Sequence, residues 1–175
     1  MTDKAALAPE LAITRWFNTP APLTLENLRG RIVILHAFQM LCPGCVAPGT
    51  PQAEKLYRLL RGNDDVVVIG LHTVFEHHAA MTPFSLEAFI HEYRLTMPIG
   101  VDQQGEGTPI PLTMQRFGMR GTPTTIVIDR AGRIRHHGFG QDDDLALGLR
   151  IGALAWAGCE RRWPGRGRSC TGRAP

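Results

Sequence analysis

The stretch Phe38-Gln-Met-Leu-Cys42-Pro43-Gly44-Cys45 decides how the rest of this chain is read. Directly before it runs Arg31-Ile-Val-Ile-Leu-His-Ala-Phe38, nearly continuous in apolar and β-branched residues. Such a run predicts a strand buried on both faces of a largely parallel sheet. Helix-compatible sequence follows the second cysteine. Two cysteines separated by two residues at a strand-to-helix junction are a device for redox chemistry or for metal binding. Read outward from there, the remaining residues are the scaffold that places the pair.

The chain of 175 residues suits one domain with a full core. Its 43% hydrophobic and 20% charged residues are those of an ordinary globular protein. The net charge of +3 is concentrated at one end: from Gly158 onward lie five of the 19 basic residues (Arg161, Arg162, Arg166, Arg168, Arg173) and one of the 16 acids, Glu160. The body is left with 14 basic and 15 acidic residues, which gives no electrostatic footprint for nucleic acid. No apolar run reaches the roughly 18 residues of a membrane span. Met1 to Glu10 lacks a continuous apolar h-region, so no signal peptide is read and the cytoplasm is the expected location; a leader missing from this start would make the protein an exported one.

In chain order, residues 1–9 read as a loose lead-in and Glu10 to Asn18 as a strand. A turn at Pro20 and Pro22 and a short link ending at Gly30 lead to the strand already described. After Cys45, Pro48 and Pro51 are expected to bend or interrupt the first turns of a helix over Gln52 to Arg61, with Leu56, Leu59 and Leu60 on one face. Val66 to Leu71 is a second buried strand, completing a βαβ unit. Thr82-Pro83 is a helix start signal, and Leu86, Phe89, Ile90 and Tyr93 at i, i+3, i+4, i+7 predict a core-facing stripe. Met97 to Val101 reads as a short strand and Ile110 to Phe117 as a short helix. Thr124 to Ile128, a turn at Asp129-Arg-Ala-Gly132, and Arg133 to Phe139 read as a hairpin. Asp142-Asp-Asp144 opens a last helix expected to end near Trp156, its acids placed where the helix dipole favours them. From Gly158 a basic, disordered tail is expected. The sequence holds no internal repeat.

Cys42-Pro-Gly-Cys45 and the later Phe117-Gly-Met-Arg-Gly-Thr-Pro-Thr-Thr-Ile-Val-Ile-Asp-Arg-Ala-Gly132 together resemble the thioredoxin-like superfamily. The branch they are most like is the TlpA/ResA-type thiol-disulfide oxidoreductases, which sit near the AhpC/TSA peroxiredoxins. The resemblance implies an α/β thioredoxin-like fold over residues 10–157, a central mixed sheet flanked by helices. It also implies an N-terminal strand extension and an insertion within residues 73–110, with residues 158–175 left as the tail. It implies that Pro123 is a cis-proline facing the cysteines and that Thr122 pairs with the substrate backbone. The chain departs from the family pattern at Leu41, usually Trp, and at His36, where thioredoxins keep a buried acid. Pro51 lies six residues after Cys45, where the family places a proline at five, and Pro48 is additional.

The chemistry follows from the thiolate. A free thiol titrates near about 8.5, and a CxxC motif at a helix N-terminus lowers that to about 3.5–7.5. Cys42, at the exposed end where unpaired N–H groups and the helix dipole stabilise negative charge, is the candidate nucleophile. Cys45, one turn on, is the candidate resolving thiol. With Pro43 and Gly44 between them and no histidine to hold the thiolate, a reducing, thioredoxin-like potential is expected. His36 is a candidate proton acceptor for Cys45, or a hydrogen-bonded core histidine. Three rival readings follow from the same residues. A zinc site needs a second ligand pair, and Cys159 and Cys170 lie far apart in the tail; His77-His78 and His136-His137 are neighbours that point to opposite faces in a strand. The peroxiredoxin resemblance implies a pattern with Pro and Thr or Ser upstream of a single reactive cysteine, the Thr or Ser three residues before it, where this chain has Gln39 before Cys42 and Cys42 before Cys45. A redox-inert binding domain could use the same fold. No cofactor is expected, and the expected partners are a disulfide-containing protein or small molecule and a separate electron donor or acceptor.

Overall fold

The computed structural model describes residues 5–162, with side chains to residue 157. Six strands form one mixed sheet: β1 (Ile13–Phe17), β2 (Ile32–Phe38), β3 (Val66–His72), β4 (Ile99–Asp102), β5 (Thr124–Ile128) and β6 (Ile134–Phe139), in the order β1-β4-β3-β2-β5-β6. β2 pairs parallel with β3 and β3 parallel with β4, while β5 and β6 continue antiparallel beyond β2 and β1 closes antiparallel on β4. The helices are α1 (Thr50–Leu59), α2 (Pro83–Glu92), α3 (Leu112–Arg116) and α4 (Asp144–Arg162). This is the thioredoxin-like α/β fold.

β2 is central because every one of its seven residues is buried. Its alternation divides the core in two: Ile32, Ile34 and Phe38 face one apolar cluster with α1, α2 and α4, and Val33, Leu35 and Ala37 face a second beneath α3 and the N-terminal segment. Phe38 is wholly enclosed, so truncation to alanine would cost about 3–5 kcal/mol. Residues 73–110 carry α2 and β4. Two buried carboxylates fix that segment. Glu54 on α1 accepts the Thr96 and Met97 N–H groups at 2.9 and 3.1 Å, the Thr96 hydroxyl at 2.6 Å and Arg58 Nε at 2.8 Å. Asp102 at the end of β4 accepts the Thr73 hydroxyl at 2.9 Å and the N–H groups of Thr113 and Met114 at 2.8 and 3.1 Å, which joins β3 to the start of α3.

Several boundaries differ from expectation. β1 begins at Ile13 rather than Glu10, because the Glu10 carboxylate is engaged by the N–H groups of Leu11, Leu25 and Glu26. Tyr93 is 51% exposed and lies past the end of α2, stacked on half-buried Phe89, so the inward stripe is only Leu86, Ile90 and part of Phe89. Leu59 points to solvent at 71% exposure. The helix expected to stop near Trp156 continues through Arg162, five residues into the segment read as tail; the rest of that tail, and the side chains of Cys159 and Cys170, lie outside the described residues. Among the described residues no helix is long and apolar enough to cross a membrane.

Candidate active site

Cys42 leaves the end of β2 and Cys45 opens a π-helical turn, Cys45–Gly49, that runs directly into α1. The turn is wide because Pro48 has no N–H to return to the previous turn; instead the Thr50 N–H reaches five residues back to the Cys45 carbonyl. Of the two prolines expected to disturb the helix start, Pro48 does so by widening it, and Pro51 sits in the first turn of α1 where its missing N–H is harmless.

The Thr122–Pro123 peptide is cis, and it packs directly across the cysteine turn. Two glycines make this approach possible. A Cβ on Gly44 would lie 3.4 Å from Pro123 Cδ, and one on Gly49 would lie 2.9 Å from His36 Cε1, 3.1 Å from Pro123 Cβ and 3.3 Å from the Gly44 carbonyl oxygen. Cys42 is half-buried and its Sγ accepts the Cys45 N–H at 3.2 Å. The Cys42 thiol in turn donates to the Thr122 carbonyl at 3.5 Å. Leu41 before it is 57% exposed. Cys45 is fully buried, and burial first, then the hydrogen bond with Cys42, pushes its thiol up to about 12; the Thr122 side chain and the Gln39 backbone act the other way.

His36 lies under this turn on the α1 face of β2, stacked on Phe38 with ring centroids 5.8 Å apart. Its Nε2 pairs with Thr50 Oγ1 at 3.3 Å, and burial holds its pKa down at about 4, so the ring is neutral at pH 7. His72, opposite Phe38 on β3, is also driven down to about 4 by burial, and neither ring nitrogen has a hydrogen-bond partner among the described residues.

The other sequence candidates fall elsewhere. His77 and His78 are exposed in the loop after β3. On β6, His136 pairs with Asp142 at 2.9 Å and His137 with the Phe117 carbonyl at 3.1 Å. Among the described residues no group of three metal-binding side chains converges. The site residue that sequence reasoning passed over is Gln39. It entered only as a mismatch to the peroxidase pattern, yet it is buried and bonds to the loop after β3 and to Thr122.

The sequence profile described as Redoxin matches residues 3–146. The chain belongs to the redoxin family. This redoxin is 54% identical to a thioredoxin-like superfamily protein of solved structure, with a TM-score of 0.82 over 86% of this chain and 96% of that one. It is 49% identical to a thiol-disulfide isomerase from Corynebacterium glutamicum, with a TM-score of 0.80 over 86% and 96% of the two chains. Protein DipZ of Mycobacterium tuberculosis is 28% identical over 144 residues, covering 81% of this chain and 19% of DipZ. The thiol-disulfide oxidoreductase ResA of Halalkalibacterium halodurans is 29% identical over 112 residues, 64% of this chain and 56% of ResA. The chain thus spans about a fifth of DipZ and about half of ResA. Family and fold place this redoxin among the thioredoxin-like proteins.

Proposed function

We propose that this redoxin carries out thiol–disulfide exchange at Cys42 and Cys45, reducing disulfides of proteins or small molecules. The observation that supports this best is the unequal placement of two adjacent sulfurs against a cis-proline loop. Cys42 is half-exposed with a backbone N–H aimed at its sulfur, whereas Cys45 is enclosed behind it. In the first step the Cys42 thiolate attacks one sulfur of the substrate disulfide, forming a mixed disulfide and releasing the other substrate sulfur as a thiolate. In the second, the Cys45 sulfur attacks Cys42 Sγ, the mixed disulfide breaks, and the second substrate sulfur leaves. Two electrons pass from the dithiol to the substrate, and the two protons of the dithiol end on the two substrate sulfurs or in water. A separate dithiol donor must then restore the reduced pair.

The order of attack follows from the electrostatics. While Cys42 is unbonded, its hydrogen bond and, once it is a thiolate, its charge add to burial in holding the Cys45 proton in place. Once Cys42 is tied up in the mixed disulfide, those two influences vanish and Cys45 becomes easier to ionise. His36 is a weak base in this setting, because transfer of the Cys45 proton to it runs far uphill; the departing substrate thiolate is the better acceptor. We assign Thr122 and Pro123 to positioning the substrate backbone beside Cys42.

The test is insulin disulfide reduction by the Cys42→Ser and Cys45→Ser variants. Cys42→Ser is expected to lose activity altogether and Cys45→Ser to stall as a trapped mixed disulfide. A Cys42→Ser protein that reduces insulin at the wild-type rate would sink the reading. The reduction potential of the pair then decides the setting. A value at or below the glutathione poise of the cytosol fits a cytoplasmic reductase, and a value far above it fits an oxidant in an oxidising compartment.

A further inference from the structure

α4 buries one side and leaves the other bare. Leu147 and Ile151 are buried, and Leu154 and Ala155 are partly buried against the same apolar cluster. On the other side Leu145, Leu149 and Trp156 are 72%, 66% and 65% exposed. At 3.6 residues per turn these three lie within an arc of about 40°, along about three turns of helix. Gly148, Gly152 and Ala153, exposed beside them, add no polar side chain. Between Leu145 and Ala157 the chain carries one charge, Arg150. A single exposed leucine is ordinary, whereas a helix that is apolar on its solvent side as well lacks the polar face that water favours. The helix cannot roll to hide that side. At one end the Asp144 carboxylate accepts Gln52 Nε2 at 2.6 Å and Lys55 Nζ at 3.2 Å, and towards the other the Leu154 carbonyl accepts Arg130 Nη1 at 2.7 Å.

The charge that follows this face says what covers it. After Glu160 come Arg161, Arg162, Arg166, Arg168 and Arg173, whereas the chain before Gly158 holds 14 basic and 15 acidic residues. The positive charge of the chain thus adjoins its barest apolar face. A partner that meets both is anionic outside and apolar just within, which is the chemistry of a bilayer surface bearing acidic headgroups. We propose that α4 and the arginines after it seat this redoxin on an anionic membrane surface, with Leu145, Leu149 and Trp156 among the lipid chains and the arginines against the headgroups. α4 lies along such a surface rather than through it, because its inner side is committed to the core. A nucleic acid would use the arginines and leave the leucines in water. A second copy would give the arginines nothing to neutralise them, on a face far smaller than the about 20–30 residues a side of a stable interface.

The experiment is flotation of the reduced full chain with vesicles of mixed phosphatidylserine and phosphatidylcholine, and with vesicles of phosphatidylcholine alone. The protein is expected to float with the first and to stay in solution with the second. Leu149→Gln combined with Trp156→Gln puts good helix formers at two exposed positions and should weaken binding to the anionic vesicles by about tenfold or more. Arg166→Ser combined with Arg168→Ser should weaken it by about twentyfold, from a factor of about five for each charge near an anionic surface. If the glutamine pair lowers the melting temperature, Leu145→Gln alone carries the same test. A wild-type chain that fails to float with the anionic vesicles would overturn the proposal. So would binding that the glutamine pair leaves unchanged, since the arginines would then act without α4. A dimer in sedimentation equilibrium that the glutamine pair dissolves would also overturn it, by giving the face to a second copy. None of these readouts involves thiol chemistry, so they stand apart from the exchange reading.

Discussion

Alanine at Gly49 should separate stability from activity. The residue adopts helical dihedrals, φ −69° and ψ −54°, so the backbone alone would favour alanine over glycine by about 1 kcal/mol. The added methyl, however, would sit 2.9 Å from His36 Cε1 and 3.1 Å from Pro123 Cβ, where carbon atoms prefer about 3.5–4.0 Å. His36 has little room to withdraw, being stacked on Phe38 and tied to Thr50. Overpacking of this kind costs about 1–3 kcal/mol, which after the backbone gain leaves a net loss of about 0–2 kcal/mol in urea unfolding. The easier relaxation is for the Thr122–Pro123 loop to back away from the cysteines. Exchange with a small disulfide should therefore fall more than stability does, by up to about a hundredfold for a displacement near 1 Å. Gly152→Ala on α4, with nothing within 4 Å of the new carbon, is the control and should gain up to about 1 kcal/mol. A Gly49→Ala protein as stable as wild type and equally fast would refute the packing argument.

Acid should destabilise the fold through its two buried histidines. Both titrate at about 4 in the fold against 6.5 when unfolded, so only the unfolded chain binds their protons as pH falls. Their contribution is full above pH 6.5 and lost between 6.5 and about 4, at most about 3 kcal/mol each. His72→Leu, which also removes two unpartnered nitrogens, should flatten that acid limb in urea titrations and be neutral or stabilising at pH 7; a clear loss at pH 7 would show that His72 has a partner. Burial pushes Glu54 up, but its hydrogen bonds from Thr96, Met97 and Arg58 outweigh this and hold it below the usual carboxylate range. Its contribution is present at neutral pH and is lost as pH drops below that range. Glu54→Ala should cost about 2–4 kcal/mol by urea unfolding at pH 7, since it strands two backbone N–H groups and a threonine hydroxyl in the interior.

What the sequence made legible was local chemistry. Cys42-Pro-Gly-Cys45, the Thr122-Pro123 signal and the apolar run of β2 each declare themselves within a few residues, and they led to the fold. What stayed hidden depends on partners distant in the chain. Gln39 looks like an unremarked polar residue until the fold brings Phe75, Glu76 and Thr122 to it, 36 to 83 positions away. The form of the cysteine turn was hidden for a different reason. Pro48 announces a disturbed helix, but whether it breaks, kinks or widens depends on how Gly49 packs against His36 and Pro123. Tyr93 obeys the helical spacing and is still exposed, because periodicity does not show where α2 ends. The run past Gly158 hid a helical continuation because composition changes there while Glu160, Arg161 and Arg162 remain good helix formers.

The N-terminal segment has a mechanical consequence. Residues 5–8 are stitched to the β5–β6 hairpin, through Ile134 N to the Ala6 carbonyl at 2.9 Å, Ala8 N to the Gly132 carbonyl at 2.8 Å and Arg133 to the Ala5 carbonyl. Five residues after Ala8 the same stretch of chain begins to pair as β1 with β4, on the opposite edge of the sheet. One peptide therefore straps the two margins together across the molecule. Neither margin can peel open without loading the other, so the segment that carries α2 and β4 should behave as part of a single cooperative unit rather than as a separately fraying appendage.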